Sequence, residues 1–216
     1  MSETLTGAKF SSDQIAMFVG LGDLVMKFGL IKRLTLHEDK VTNESDTTHT
    51  VMLSYFACSF AEQHLPELSL GRISQLCSVH DIVEAIAGDT PTFNYAEYDK
   101  RAKEKRENQA FIQIKEKFAN YFPWLVNRLE EYEHQETAES RYVKAMDKIM
   151  PGITHILNSG EVIRQSNMGR DEHSRNAVML RSDISSYTKD MPVVIEFFDE
   201  IINKVVEVTY GAELKA

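Results

Sequence analysis

The chain has 216 residues, 43% of them apolar, with 33 Asp and Glu against 24 Lys and Arg for a formal net charge of -9. That length and apolar content suit one large domain with a sizeable core. The acidic balance argues against a nucleic-acid backbone as partner, since such binding draws on clustered Lys and Arg, and no apolar run approaches the ~18 to 20 residues of a membrane span.

Apolar residues recur with helical spacing over 13–30, 47–64, 70–87, 98–119, 123–133, 139–150 and 192–208, and no run alternates convincingly as a strand. The expected fold is all-α: a single domain over 1–216, with a core over about 24–150 and C-terminal helices over about 151–210 packed on it. Residues 158–190 read either as a polar loop or as a helix covering the site. Cys58 and Cys77 lie in apolar contexts and suggest no disulfide framework. With no secretory leader read at the start, a reducing cytoplasm is the expected compartment.

In the 47–64 helix, Ser45, Asp46 or Thr47 can serve as the cap, and the apolar positions include Leu53, Phe56, Ala57 and Phe60. His49 falls in its first turn. In the 70–87 helix, Leu76, Val79, Val83 and Ile86 form the face expected in the core. At about 3.6 residues per turn, Glu84 lies one turn beyond His80 and Asp81 on another side, and Cys77 extends that side backward. Gly88 is a natural stop, and Asp89, Thr90 and Pro91 do not readily continue a helix. The polar cluster therefore belongs at a helix end.

The 98–119 helix opens with Lys100, Arg101, Lys103, Lys105 and Arg106, interleaved with Glu104 and Glu107. Such a run reads as a solvated face with i,i+4 pairs, or as a phosphate contact through Lys103 or Arg106. In the 139–150 helix, Tyr142, Ala145, Met146 and Met150 are core positions, and Asp147 sits among them.

An ionised carboxylate beside a core is costly unless it is paired or bound to a metal. A divalent cation would account for the acids beside His80. The alternative is a solvated acidic stripe with a hydrogen-bonded core histidine.

A His, then His-Asp, then a distant Asp resembles the HD-domain metal-dependent phosphohydrolase superfamily. The strings ESDTTHT, HDIVEAIAGDTP and KRAKEKRENQAF together look like its small 5'-deoxynucleotidase-type branch, over about residues 24–210. The resemblance implies that His49, His80, Asp81 and Asp147 are metal ligands. It implies that Glu84 activates water or shuttles a proton, that Asp89 is a second acid near phosphate and sugar, and that Arg33 contacts substrate phosphate. It also implies a homodimer.

Two imidazoles and two carboxylates leave open positions on an octahedral ion, and such a mixed N/O set suits Mn, Co, Fe, Ni or Mg. The expected reaction is hydrolysis of a nucleoside 5'-monophosphate, a deoxynucleotide by resemblance, to nucleoside and phosphate. A triphosphohydrolase releasing tripolyphosphate is the alternative within the superfamily, with a guanosine-tetraphosphate hydrolase as a further one. A catalytically silent nucleotide-binding protein is the alternative outside enzymes. The remaining histidines are expected at the surface or in the core, with His155 the one expected beside the site.

Overall fold

The computed structural model describes residues 9–88 and 97–211, without the side chains of 97–100. In chain order its elements are α1 (Ser12–Phe28), β1 (Lys32–Leu36), β2 (Asn43–Ser45), α2 (Asp46–His64), α3 (Leu70–Val79), α4 (Glu84–Ala87), α5 (Glu97–Phe118), α6 (Pro123–His134), α7 (Ala138–Leu157), α8 (Glu161–Gln165), α9 (Arg170–Tyr187) and α10 (Pro192–Tyr210). Helix starts follow local chemistry. Ser11, Ser45, Ser69 and Thr137 cap α1, α2, α3 and α7 with their hydroxyls, each contributing about 1 kcal/mol. Pro123 and Pro192 stand in the first turns of α6 and α10, where a missing amide costs nothing. No helix among the described residues is long and apolar enough to cross a membrane.

The helical fold class is as expected, and the structure refines four details of it. The chain is predominantly helical, but β1 and β2 form an antiparallel hairpin, with a register irregularity between the Lys32–Ser45 and Leu36–Asn43 pairs. The 70–87 helix is broken after Val79. His80 Nδ1 donates to the Cys77 carbonyl at 2.8 Å, the acceptor that a continuing helix would offer to the Asp81 amide, and the turns that follow close by shorter i to i−3 bonds such as Glu84 N to Asp81 O. Helix α7 runs past Met150 to Leu157 with Pro151 inside it, which leaves the Asp147 carbonyl without the amide an unbroken helix would supply. Residues 158–190 hold two helices, α8 and α9, and α9 packs against α7 and α10.

Two buried clusters form the interior. The larger draws Leu53 and Ala57 from α2, Leu76 from α3, Met146 from α7 and Phe198 from α10. The second draws Leu24 and Phe28 from α1, Ile114 and Phe118 from α5, and Leu129 from α6, against Val79 and Val83. Each large side chain fully buried there contributes about 1.5 to 3 kcal/mol. Tyr142, Ala145, Met146 and Met150 are buried as expected, whereas Phe56 and Ile86 are exposed. At Gly152 a Cβ would stand 2.6 Å from Ile201 Cγ2, so glycine there permits the close approach of α7 and α10. Helix α3 is shared, with Leu76 and Cys77 in the first cluster and Val79 in the second. His80 and Asp81 follow directly, so the seam between the clusters carries the polar pair.

Candidate metal centre

Three segments distant in sequence meet at that seam. The start of α2 brings His49, the turn after α3 brings His80 and Asp81, and the middle of α7 brings Asp147. One donor atom from each of these four residues lies within 4.8 Å of all the others. Both histidines are buried, and the two carboxylate side chains are 19% and 17% exposed, so the group opens to solvent on its acidic side. His49 Nε2 donates to Asp147 Oδ1 at 2.9 Å. His80 Nε2 lies 3.0 Å from Asp81 Oδ2 and 3.6 Å from Asp147 Oδ1, and the two imidazole rings stand 5.5 Å apart.

His80 supplies the test of whether a cation fits. The Cys77 carbonyl can only accept, so Nδ1 carries a proton, and a neutral imidazole held this way has its lone pair on Nε2. That buried Nε2 has no hydrogen-bond partner, although two carboxylate oxygens lie near it. A lone pair facing carboxylates repels them, and a shared divalent cation removes the repulsion. A backbone carbonyl holding the far nitrogen is also how proteins orient a ligating histidine. The donor set therefore fits a divalent metal.

The electrostatics agree with a site built for positive charge. Burial works against ionised Asp81 and Asp147, yet the neighbouring imidazoles, and Arg33 in the case of Asp81, hold both carboxyls well below the usual carboxylate range. Burial likewise works against charged His49, but its hydrogen bond to Asp147 and the Glu44 carboxylate facing its other nitrogen carry it up to about 9. Burial also opposes the charge of Arg33, and Asp81, Asp147 and Asp46 outweigh it and keep the guanidinium protonated.

The hairpin carries Arg33, which the resemblance already named, and adds Thr35 and Glu44, which sequence reasoning missed. Arg33 and Thr35 alternate along β1 toward the less exposed face. Arg33 Nη1 reaches Asp81 Oδ2 at 2.9 Å and Asp46 Oδ1 at 3.2 Å. Thr35 Oγ1 donates to Glu44 Oε2 at 2.5 Å, and Glu44 Oε1 stands 3.7 Å from His49 Nδ1. Glu44 is only 1% exposed, so it forms a buried carboxylate behind the His49 imidazole. The signal available in the sequence was the alternation Arg33, Thr35 with an acid pair, Glu44 and Asp46, two residues apart.

Among the other expected residues, Glu84 is buried at the start of α4, and Lys103 Nζ from α5 lies 4.0 Å from its Oε1. Lys103 also stands 3.5 Å from Glu107, whose carboxyl is raised by burial against the pull of Lys103. Arg106 is exposed. Asp89 lies outside the described residues.

Comparison with known proteins adds to this geometry. A family model described as HD domain matches residues 27–185. An 86-residue stretch is 38% identical to the 5'-deoxynucleotidase HDDC2 of Xenopus laevis, and the match covers 38% of this chain and 40% of that protein. The chain thus spans less than half the length of that curated relative. Among solved structures, a predicted metal-dependent phosphohydrolase from Magnetospirillum magnetotacticum MS-1 is similar with a TM-score of 0.73 and 24% identity, over 92% of this chain and 96% of that one. The PH0347 protein from Pyrococcus horikoshii OT3 is similar with a TM-score of 0.57 and 18% identity, over 88% of this chain and 99% of that one. At these identities the two structures show a shared fold alone.

Proposed function

This chain belongs to the HD domain family, and from that premise we propose that it is a metal-dependent phosphohydrolase releasing phosphate from a nucleoside 5'-monophosphate, with His49, His80, Asp81 and Asp147 as the metal ligands. The observation that carries the reading is the bare Nε2 of His80, held toward two carboxylates and a second imidazole in a group whose donors converge within 4.8 Å. A divalent cation of the Mn, Co, Fe, Ni or Mg type bound there supplies charge that polarises phosphate and acidifies water.

The other steps fall to side chains of the chain itself. Water attacks phosphorus, the ester P–O bond breaks, one proton is taken from the water and one reaches the departing 5' oxygen. Glu84 is the general acid–base group of this reading, supported by its burial and by the Lys103 ammonium beside it. Arg33 and Lys103 offer the positive charge that a phosphate dianion requires, and the expectation for Arg106 and Asp89 is the same substrate side of the site.

The monophosphate is favoured by the likeness to a 5'-deoxynucleotidase over 86 residues. The test is a panel of nucleoside and deoxynucleoside mono- and triphosphates with Mn, Co or Mg, with products resolved. Inorganic phosphate from a monophosphate is the expected product. Tripolyphosphate from a dNTP would replace this reading with the triphosphohydrolase one, and a protein that hydrolyses neither would leave a nucleotide-binding role. By the same resemblance the unit is proposed to be a cytoplasmic homodimer, which light scattering and fractionation test.

A further inference from the structure

Arg33 is held by two carboxylates at once, and the two are not equivalent. Its Nη1 lies 2.9 Å from Asp81 Oδ2 and 3.2 Å from Asp46 Oδ1. Asp81 belongs to the converging donor group, and the same Oδ2 lies 3.0 Å from His80 Nε2. Asp46 is outside that group. Its side chain is fully buried at the first position of α2, and its amide donates to the Ile31 carbonyl at 3.2 Å, which ties the helix start to the entry of β1. Asp46 and Arg33 are therefore fixed on two backbone segments that are themselves bonded together.

A cation drawn to the four donors competes with Arg33 for Asp81 Oδ2 and repels the guanidinium. With Asp81 as its only anchor, a long and rotamer-rich arginine side chain would swing away from the site as the metal enters. Asp46 prevents this because a metal at the four donors makes no claim on it. We propose that Asp46 is a positioning residue: it keeps the Arg33 guanidinium beside the metal centre when Asp81 turns to the metal, which leaves further N–H donors of the fork available to the substrate phosphate.

This inference rests on the phosphohydrolase reading for the identity of the anion, and it differs from a plain helix-start role for Asp46. An acid in the first turn also stabilises α2 through the helix dipole, and that role would change melting temperature without changing phosphate affinity.

The experiment uses the full chain and isothermal titration calorimetry. Inorganic phosphate is titrated into Mn-loaded protein, and Mn into metal-depleted protein, for the wild type, Asp46→Asn, Asp46→Glu, Arg33→Ala and the Asp46→Asn/Arg33→Ala double variant. Asp46→Asn is expected to weaken phosphate binding by about tenfold, the scale of one charge-assisted hydrogen bond, with Mn affinity unchanged within about twofold. Asp46→Glu is expected to recover part of the loss, and the double variant to bind phosphate no more weakly than Arg33→Ala alone. The proposal is overturned by unchanged phosphate affinity in Asp46→Asn, by losses that add in the double variant, or by Mn affinity that falls in step with phosphate affinity. If Asp46→Asn fails to fold, Asp46→Ser carries the same comparison. Wild-type protein that binds no phosphate overturns the proposal. Wild-type protein that binds phosphate yet hydrolyses no nucleotide overturns the proposed enzyme function alone.

Discussion

His49 Nε2 lies 2.9 Å from Asp147 Oδ1 although 98 residues separate them, and both groups are also within reach of His80 and Asp81. The contact joins the start of α2 to the middle of α7, so the candidate metal centre is assembled by tertiary packing of the larger core cluster. Removing a ligand leaves its partners as uncompensated buried charge or as an unpartnered imidazole. His49→Ala, Asp81→Ala and Asp147→Ala are each expected to lose bound metal and to lower phosphate release by more than about a hundredfold. Elemental analysis of purified protein alongside a phosphate assay checks this. A variant with full metal content and full turnover would remove that residue from the ligand set.

On the proposed reading Glu84 serves chemistry and leaves metal binding to others. It is buried at the start of α4, just beyond the turn that carries His80 and Asp81, with Lys103 Nζ 4.0 Å from its Oε1. As the acid–base group it should matter to the transition state and little to the metal. Glu84→Gln keeps its size and is expected to lower kcat by about 100- to 10,000-fold with metal content unchanged. Lys103→Ala should act mainly on KM, since an ammonium that holds phosphate contributes binding in ground and transition states alike. A Glu84→Gln variant that loses its metal, or keeps its kcat, would contradict the assignment.

The resemblance named His49, His80, Asp81 and Asp147 as candidate ligands, and the structure brings one donor atom of each within 4.8 Å of the others; each is a polar residue set into an apolar helical pattern, where burial demands a partner. The helices were legible because apolar pairs one turn apart, such as Leu53 with Ala57 on α2 and Tyr142 with Met146 on α7, survive into the packed core. What the sequence concealed was the material between helices. Strands β1 and β2 are five and three residues long, too short for alternation to stand out, yet they bring Thr35 and Glu44 to the site beside Arg33, which the resemblance had already named. The break after Val79 was hidden because its cause is an imidazole taking a backbone carbonyl, an event that leaves the apolar periodicity through Val83 intact. The expected helix ended at Met150, just before Pro151, but packing of Ile153 and Thr154 in the interior carries α7 onward across the proline.

Glu44 gives a prediction that the ligand residues cannot. It stands 3.7 Å from His49 Nδ1 with Thr35 donating to its other oxygen, a position from which it would orient the imidazole of a metal-loaded site from behind. Glu44→Gln is expected to weaken metal affinity by about 10- to 100-fold, the usual cost of removing such a supporting carboxylate. Thr35→Val should act in the same direction and less strongly, because it frees the Glu44 side chain to rotate. Chelator competition with the metal-loaded protein reads both, and equal metal affinity in Glu44→Gln and the wild type would show that the carboxylate plays no part.

His155 sets the acid limit of the fold. It lies on α7, mostly buried, with Nδ1 lacking any hydrogen-bond partner among the described residues. Burial, aided by the nearby His173 and opposed by Glu44, holds it down to about 4, against about 6.5 in an unfolded chain. The unfolded state therefore binds the proton first as pH falls. The stability linked to this group is intact above about pH 6.5 and is lost progressively toward about pH 4, which amounts to about 2 to 3 kcal/mol at pH 4.5. His173, which burial also depresses, adds in the same direction. For metal-free protein of this size, that contribution alone corresponds to a fall in Tm of about 5 to 10 °C between pH 7.5 and 4.5, partly offset by His49, whose raised value stabilises the fold as pH falls. His155→Gln, which carries no titrating group, should recover most of that difference relative to the wild type, whatever the carboxylates contribute to both. Parallel Tm profiles for the two proteins would show that His155 titrates in the folded chain as it does in the unfolded one.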